Sequence, residues 1–139
     1  MKDLKPALRL VSTITKVIQL KKGDRVSYNY TFTAPKDMTI GVLPIGYYEG
    51  AWAAARGAGL ETGTVKIGGK FTPIVGRVCM NHSMISLEGI NAKVGDEVVI
   101  YSDNPANANA IDNIAAEHGL FNYNLLTSLS SDVRRVLVD

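Results

Sequence analysis

The chain has 139 residues, 46% of them hydrophobic and 20% charged, with a formal net charge of +2. That composition is globular and the length suffices for one ordinary core, so global disorder is excluded, and the near balance of charge gives no case for nucleic acid or an anionic membrane. One cysteine, Cys79, rules out an internal disulfide and a cysteine-based metal site, and fits a reducing compartment.

No membrane span is predicted. The longest uncharged, mostly apolar run, Ile40 to Tyr48, contains Pro44 and falls short of the about 20 residues a spanning helix needs. The opening MKDLKPALRL lacks the apolar stretch of a secretory signal, and it enters a strand-like pattern at once, as if cut from something longer. The two N-x-[ST] triplets, beginning at Asn29 and Asn81, are read as chance matches.

Residues 10–20 are rich in Val, Ile and Thr, with Leu10, Ile14 and Ile18 on one parity and Ser12 and Lys16 interrupting it; a strand with a bulge or a switch of face is expected. Lys21 to Asp24 signals a turn. Residues 25–33 alternate, with Val26, Tyr28, Tyr30 and Phe32 on one face, and predict a strand whose aromatic side meets the core. Ala34 to Asp37 closes it, and residues 38–45 predict another strand with Pro44 near its end. Residues 46–62 are glycine-rich and predict a surface loop, with a helical turn at Ala51 to Arg56. Thr64 to Ile67, Gly68-Gly69 and Lys70 to Val75 predict a hairpin. Strand, kink and strand follow from Gly76 to Leu87, and Val94-Gly95-Asp96 leads into a strand at Glu97 to Tyr101.

One helix is predicted near residues 108–118, capped by Asn107, with Ile111, Ile114, Ala115 and His118 at helical spacing and Gly119 as its stop. Residues 120–138 are expected to be extended. The sum is a single mainly-β domain over residues 1–139: a small β-barrel, closed or nearly closed, with one short α-helix. Leu10, Ile14, Val42, Val75, Val98, Ile111 and Ile114 are the expected core.

The residues offer no self-sufficient catalytic set. His118 at a helix C-terminus suits the dipole. Cys79-Met80-Asn81-His82 lacks the second histidine a copper site would want. The glycine-lysine spacing of Gly63 to Lys70 fails the phosphate-loop pattern. Tyr28, Tyr30 and Phe32 are core aromatics or, as the alternative, a stacking platform for bases. If the domain takes part in catalysis, it supplies single groups to a site completed by something else.

The motifs resemble a family over nearly the whole chain. Pro6-Ala7-Leu8, Val26-Ser27-Tyr28, Pro44-Ile45-Gly46-Tyr47 with Glu49-Gly50, Pro73 to Met80, Val94 to Val98 and Asn122-Tyr123 to Arg135 are similar, in order and spacing, to segments of the C-terminal β-domain of pyridoxal-phosphate-dependent alanine racemases. The resemblance implies several things. An N-terminal barrel, absent here, would hold the pyridoxal phosphate on a lysine. A head-to-tail homodimer would bring this domain to the partner subunit's site. Tyr28 would be the catalytic acid–base group, and the backbone N–H of Met80 would meet the substrate carboxylate. Tyr47, Arg77 and Asn81 would line the channel by which substrate arrives. The expected setting is cytoplasmic, with a small amino acid as substrate, no nucleic acid and no membrane. The chain alone would hold no cofactor and would be inactive.

There are departures from the family pattern. Asn81 stands for the usual Asp, Tyr48-Glu49 for Ala-Asp, and Ser131-Asp132 for residues ending in Arg; the spacing from Tyr47 to Met80 is also longer. The alternatives are a racemase acting on serine or a wider range of amino acids, a nucleic-acid-binding barrel, and a purely structural dimerisation domain.

Overall fold

The computed structural model describes residues 6–52 and 63–138. Among these residues nine strands fall into three ladders: β1 (Leu10–Thr13), β9 (Glu97–Tyr101), β6 (Thr64–Ile67) and β7 (Lys70–Pro73) in that order; β2 (Lys16–Leu20), β5 (Met38–Leu43) and β8 (Ser83–Ser86); and the pair β3 (Arg25–Val26) and β4 (Phe32–Thr33). All pairings within the ladders are antiparallel.

The first two ladders close on each other. Residues 10–20 pair with β9 through their first half and with β5 through their second, and the chain breaks between the halves at Ile14-Thr15. This is the switch the interrupted parity predicts, and the register also shifts between Leu10 and Val11. On the far side an isolated bridge from Ile74 to Ile85 joins β7 to β8. The result is mainly β and barrel-like, closed on one side by a bent strand and on the other by one bridge rather than by a continuous ladder.

Inside lie Leu43, Val65, Ile85, Val98, Ile100 and Tyr101, all 0% exposed. Each buried aliphatic side chain stabilises the fold by about 1.5–3 kcal/mol relative to exposure. A second cluster of Leu20, Ala34, Met38, Ile40, Val75 and Met84 sits at one end, with Val26 and Phe32 packed on it. The expected core residues Leu10, Ile14, Val75, Val98 and Ile114 are buried, while Val42 and Ile111 are half-buried at the edges of the two clusters. The Gly68-Gly69 turn has both φ angles positive, as a tight two-residue hairpin needs.

Four expectations need correcting. Residues 25–33 are not one strand: a 3₁₀ turn at Tyr28–Tyr30 separates β3 from β4, so Tyr28 and Tyr30 leave the core face. Helix α1 spans Ile111–Glu117 and starts after Ala110, not at Asn107, whose side-chain amide instead donates to Ser102 Oγ (2.8 Å). Residues 120–138 are not extended throughout: α2 spans Asn122–Thr127, where the Asn124 side chain accepts the Phe121 N–H (3.1 Å) and Leu125 is wholly buried. Of the run Gly76 to Leu87, only Ser83–Ser86 is strand. The helical turn expected at Ala51 to Arg56 falls mostly outside the described residues. Among the described residues, no helix is long and apolar enough to cross a membrane.

Candidate active-site rim

Segments 27–31, 46–50, 76–82 and 128–132 meet at one end of the barrel, stitched by backbone hydrogen bonds and close glycine contacts rather than by apolar packing. Tyr47 N–H donates to the Cys79 carbonyl (3.2 Å) and Tyr48 N–H to the Met80 carbonyl (2.9 Å). A Cβ at Gly46 would lie 2.1 Å from the Cys79 oxygen, so only glycine allows this approach. Gly50, at φ +84°, comes as close to Ser128, and Ser130 N–H donates to the Glu49 carbonyl (3.1 Å).

Glu49 bridges three segments. Its carboxylate accepts the Gly46 N–H (2.8 Å) and the Asn81 amide (3.0 Å). The Glu49 and Asn81 departures from the family pattern thus form one hydrogen-bonded pair. Two further departures also pair: the Tyr48 hydroxyl donates to Asp132 (3.1 Å). That bond holds the proton on Tyr48 and pushes its pKa up, with the negative charge of Asp132 and then partial desolvation adding to the effect.

Tyr28 sits on an unusual piece of backbone. Ser27 has φ +77° and ψ 169°, a region that is essentially glycine-only, and Asn29 and Tyr30 are left-handed at +56° and +54°. Such conformations cost about 1–3 kcal/mol each and persist only where the surroundings fix them. Here the Ser27 hydroxyl accepts the Arg77 N–H (2.8 Å) and donates to the Arg77 carbonyl (3.2 Å). The Arg25 guanidinium donates to the Tyr30 carbonyl (3.2 Å) and lies 5.5 Å from the Tyr30 ring centroid. Tyr28 is 64% exposed.

Met80 and Asn81 form the exposed tip of a turn closed by the Cys79 N–H to the His82 carbonyl (2.9 Å). Among the described residues, no protein acceptor takes the Met80 N–H. Burial pushes the Cys79 thiol pKa up, partly offset by the Tyr28 peptide N–H directed at the sulfur. Tyr47 is half-buried against the main core and Arg77 is half-buried in the rim. The predicted site residues Tyr28, Tyr47, Arg77, Met80 and Asn81 are therefore brought to one rim.

The sequence reading missed Ser27, Glu49 and Asp132 as the residues that tie this rim together. Their signal was a polar residue beside each motif, which becomes legible only once the segments are known to meet. Phe32 packs into the second cluster while Tyr28 and Tyr30 face water, so the three rings make no continuous stacking row.

A phenol and an unpaired amide N–H on one exposed rim can move a proton and bind a carboxylate. No lysine lies in the four segments, and no group of three potential metal ligands occurs among the described residues.

The family described as the C-terminal domain of alanine racemase matches residues 7–137. The alanine racemase of Lactobacillus acidophilus is 39% identical over 133 residues, covering 96% of this chain and 34% of that protein. The solved alanine racemase of Clostridium difficile 630 superposes with a TM-score of 0.82 at 32% identity, over 94% of this chain and 32% of that one. The Oenococcus oeni alanine racemase superposes at 0.85 with 27% identity, over 99% and 36%. The chain spans about a third of the length of the relatives it matches.

Proposed function

The chain belongs to the alanine racemase C-terminal domain family, and we propose that it is the part of an alanine racemase that carries Tyr28 to the partner subunit's site in a head-to-tail homodimer. The reaction is the interconversion of L- and D-alanine for peptidoglycan precursors, in the cytoplasm. Bound on a lysine of the N-terminal barrel, pyridoxal phosphate supplies the electron sink that acidifies the Cα–H bond.

This chain's residues then have separate tasks. The Tyr28 hydroxyl takes or returns the proton on one face of Cα. The Met80 N–H donates to the substrate carboxylate. Tyr47, Arg77 and the Glu49–Asn81 pair shape the approach. One amide proton of Asn81 is already committed to Glu49, so Asn81 acts on specificity through the orientation of that pair. The domain alone holds no cofactor and is inactive.

The observation that carries this reading is the exposed Tyr28 phenol on the same rim as the unpaired Met80 N–H. A phenol works as an acid–base group when it lies about 3 Å from the transferred proton, a distance that docking would set. The test is Tyr28→Phe in the complete enzyme. Racemisation should fall by about 100-fold or more, the usual loss for a positioned acid–base group, with cofactor content unchanged. Near-normal turnover in both directions would overturn it.

A further inference from the structure

We propose that Ser27 is the positioning residue for Tyr28, its hydroxyl clasping the Arg77 peptide and so fixing the direction in which the phenol leaves the rim. This rests on the role given to Tyr28 above. The Tyr28 hydroxyl has no hydrogen-bond partner among the described residues, so its aim comes from the backbone that carries it. That backbone has three positive-φ residues, Ser27, Asn29 and Tyr30, around Tyr28.

Ser27 is the informative one. At φ +77° and ψ 169° a glycine would be the unstrained choice. Beyond its Cβ, a serine here adds one polar group that glycine lacks, the hydroxyl. That hydroxyl is fully used: it accepts from the Arg77 N–H at 2.8 Å, donates to the Arg77 carbonyl at 3.2 Å, and accepts from Thr31 Oγ1 at 3.2 Å. One donor and two acceptor positions exhaust a serine side chain.

The segment opposite is shaped to receive it. Gly76 has φ +68°, and a Cβ there would lie 2.5 Å from the Ser27 Cβ. The same stretch, residues 76–80, leads to Met80. The clasp therefore sets the Tyr28 turn against the strip that carries the proposed carboxylate-binding N–H. Strain kept at a residue beside a reacting group, and held by hydrogen bonds to the other half of the site, is the pattern expected of preorganisation.

The deciding variant is Ser27→Gly, which relaxes the backbone and deletes only the clasp. In the complete enzyme its thermal midpoint should be unchanged or higher, its KM and cofactor content unchanged, and its kcat lower by about 10-fold or more, since small misplacements of reacting groups cost up to about 100-fold. In this chain, amide nitrogen relaxation should show residues 28–30 as ordered as the strands, and mobile on the ps–ns timescale in Ser27→Gly. Wild-type kcat in Ser27→Gly, or unchanged order at 28–30, would overturn the proposal, because a merely structural serine in a glycine conformation is replaced by glycine without loss. Tyr28→Phe is measured alongside. If it is slow and Ser27→Gly is not, the clasp alone fails; if it too turns over normally, the role of Tyr28 fails first and the clasp with it.

Discussion

In the barrel wall, Ile40, Leu43, Ile85, Val98 and Ile100 are 0% exposed; at the rim, Tyr28, Tyr48 and Met80 stand at 64%, 50% and 52%. The wall is held by apolar burial, a force that is non-directional and tolerant of detail; every residue of β8 is buried, and buried residues fall on both parities of β5. The rim is held by directional bonds from Ser27, Glu49 and Asp132 and by glycines that admit a neighbouring backbone. On the proposed function, the wall can be altered in stability without touching the chemistry, and the exposed rim side chains in chemistry with little change in stability.

The largest expected effect lies in the wall. Ile85 pairs with Gly41 and bridges to Ile74. Ile85→Ala should cost about 2–5 kcal/mol, the usual range for a large-to-small change in a core. Urea unfolding measures it, and activity per folded molecule should stay near normal.

Tyr101 gives the wall a pH signature. Burial pushes its pKa up to about 12, against partial relief from the Trp52 N–H, which donates to its oxygen (2.8 Å). A group whose folded pKa is raised contributes stability that is complete below the unfolded value of about 10 and is lost as pH rises from there towards about 12. About two units correspond to on the order of 3 kcal/mol. Tyr101→Phe should remove that slope from urea midpoints measured across the range; a slope retained in the variant would assign it elsewhere.

Gly46→Ala probes the seam between the two regions. Its Cβ would meet backbone, not a side chain that can swing away. A loss of about 1–3 kcal/mol is expected from overpacking, accompanied by a fall in turnover because the Met80 turn must shift. Unchanged turnover in a destabilised protein would separate Gly46 from the site.

The smallest effect is at the exposed Tyr48–Asp132 bond. Tyr48 should ionise above the ordinary tyrosine value, and Asp132→Asn should bring it back down in an ultraviolet titration. What stability the bond adds is complete below the ordinary value and fades as pH rises through the raised one. Solvent keeps it small.

How much was legible from sequence follows the same division. The break in residues 10–20, the Gly68-Gly69 turn and the stop at Gly119 were all readable, because parity and positive-φ glycines are local signals. The turn at Tyr28–Tyr30 was not, because the alternation of residues 25–33 satisfies a strand while the clasp that breaks it comes from Arg77, 50 positions away. Helix α2 was missed because its one local anchor, the Asn124 side chain, caps from N3 behind a phenylalanine rather than a polar N-cap, and its other anchor, the contact of Leu125 with the core, is tertiary. The motif residues could be named in sequence order, but the Glu49–Asn81 and Tyr48–Asp132 pairs needed the fold.

The claim that the rim carries the chemistry is tested most directly by following α-hydrogen exchange with deuterated solvent for each enantiomer of alanine, in the complete enzyme and its Tyr28→Phe variant. The account predicts that the variant loses exchange from L-alanine, retains exchange from D-alanine through the base of the opposite face, and unfolds at the wild-type urea midpoint. Exchange from L-alanine at the wild-type rate would contradict it.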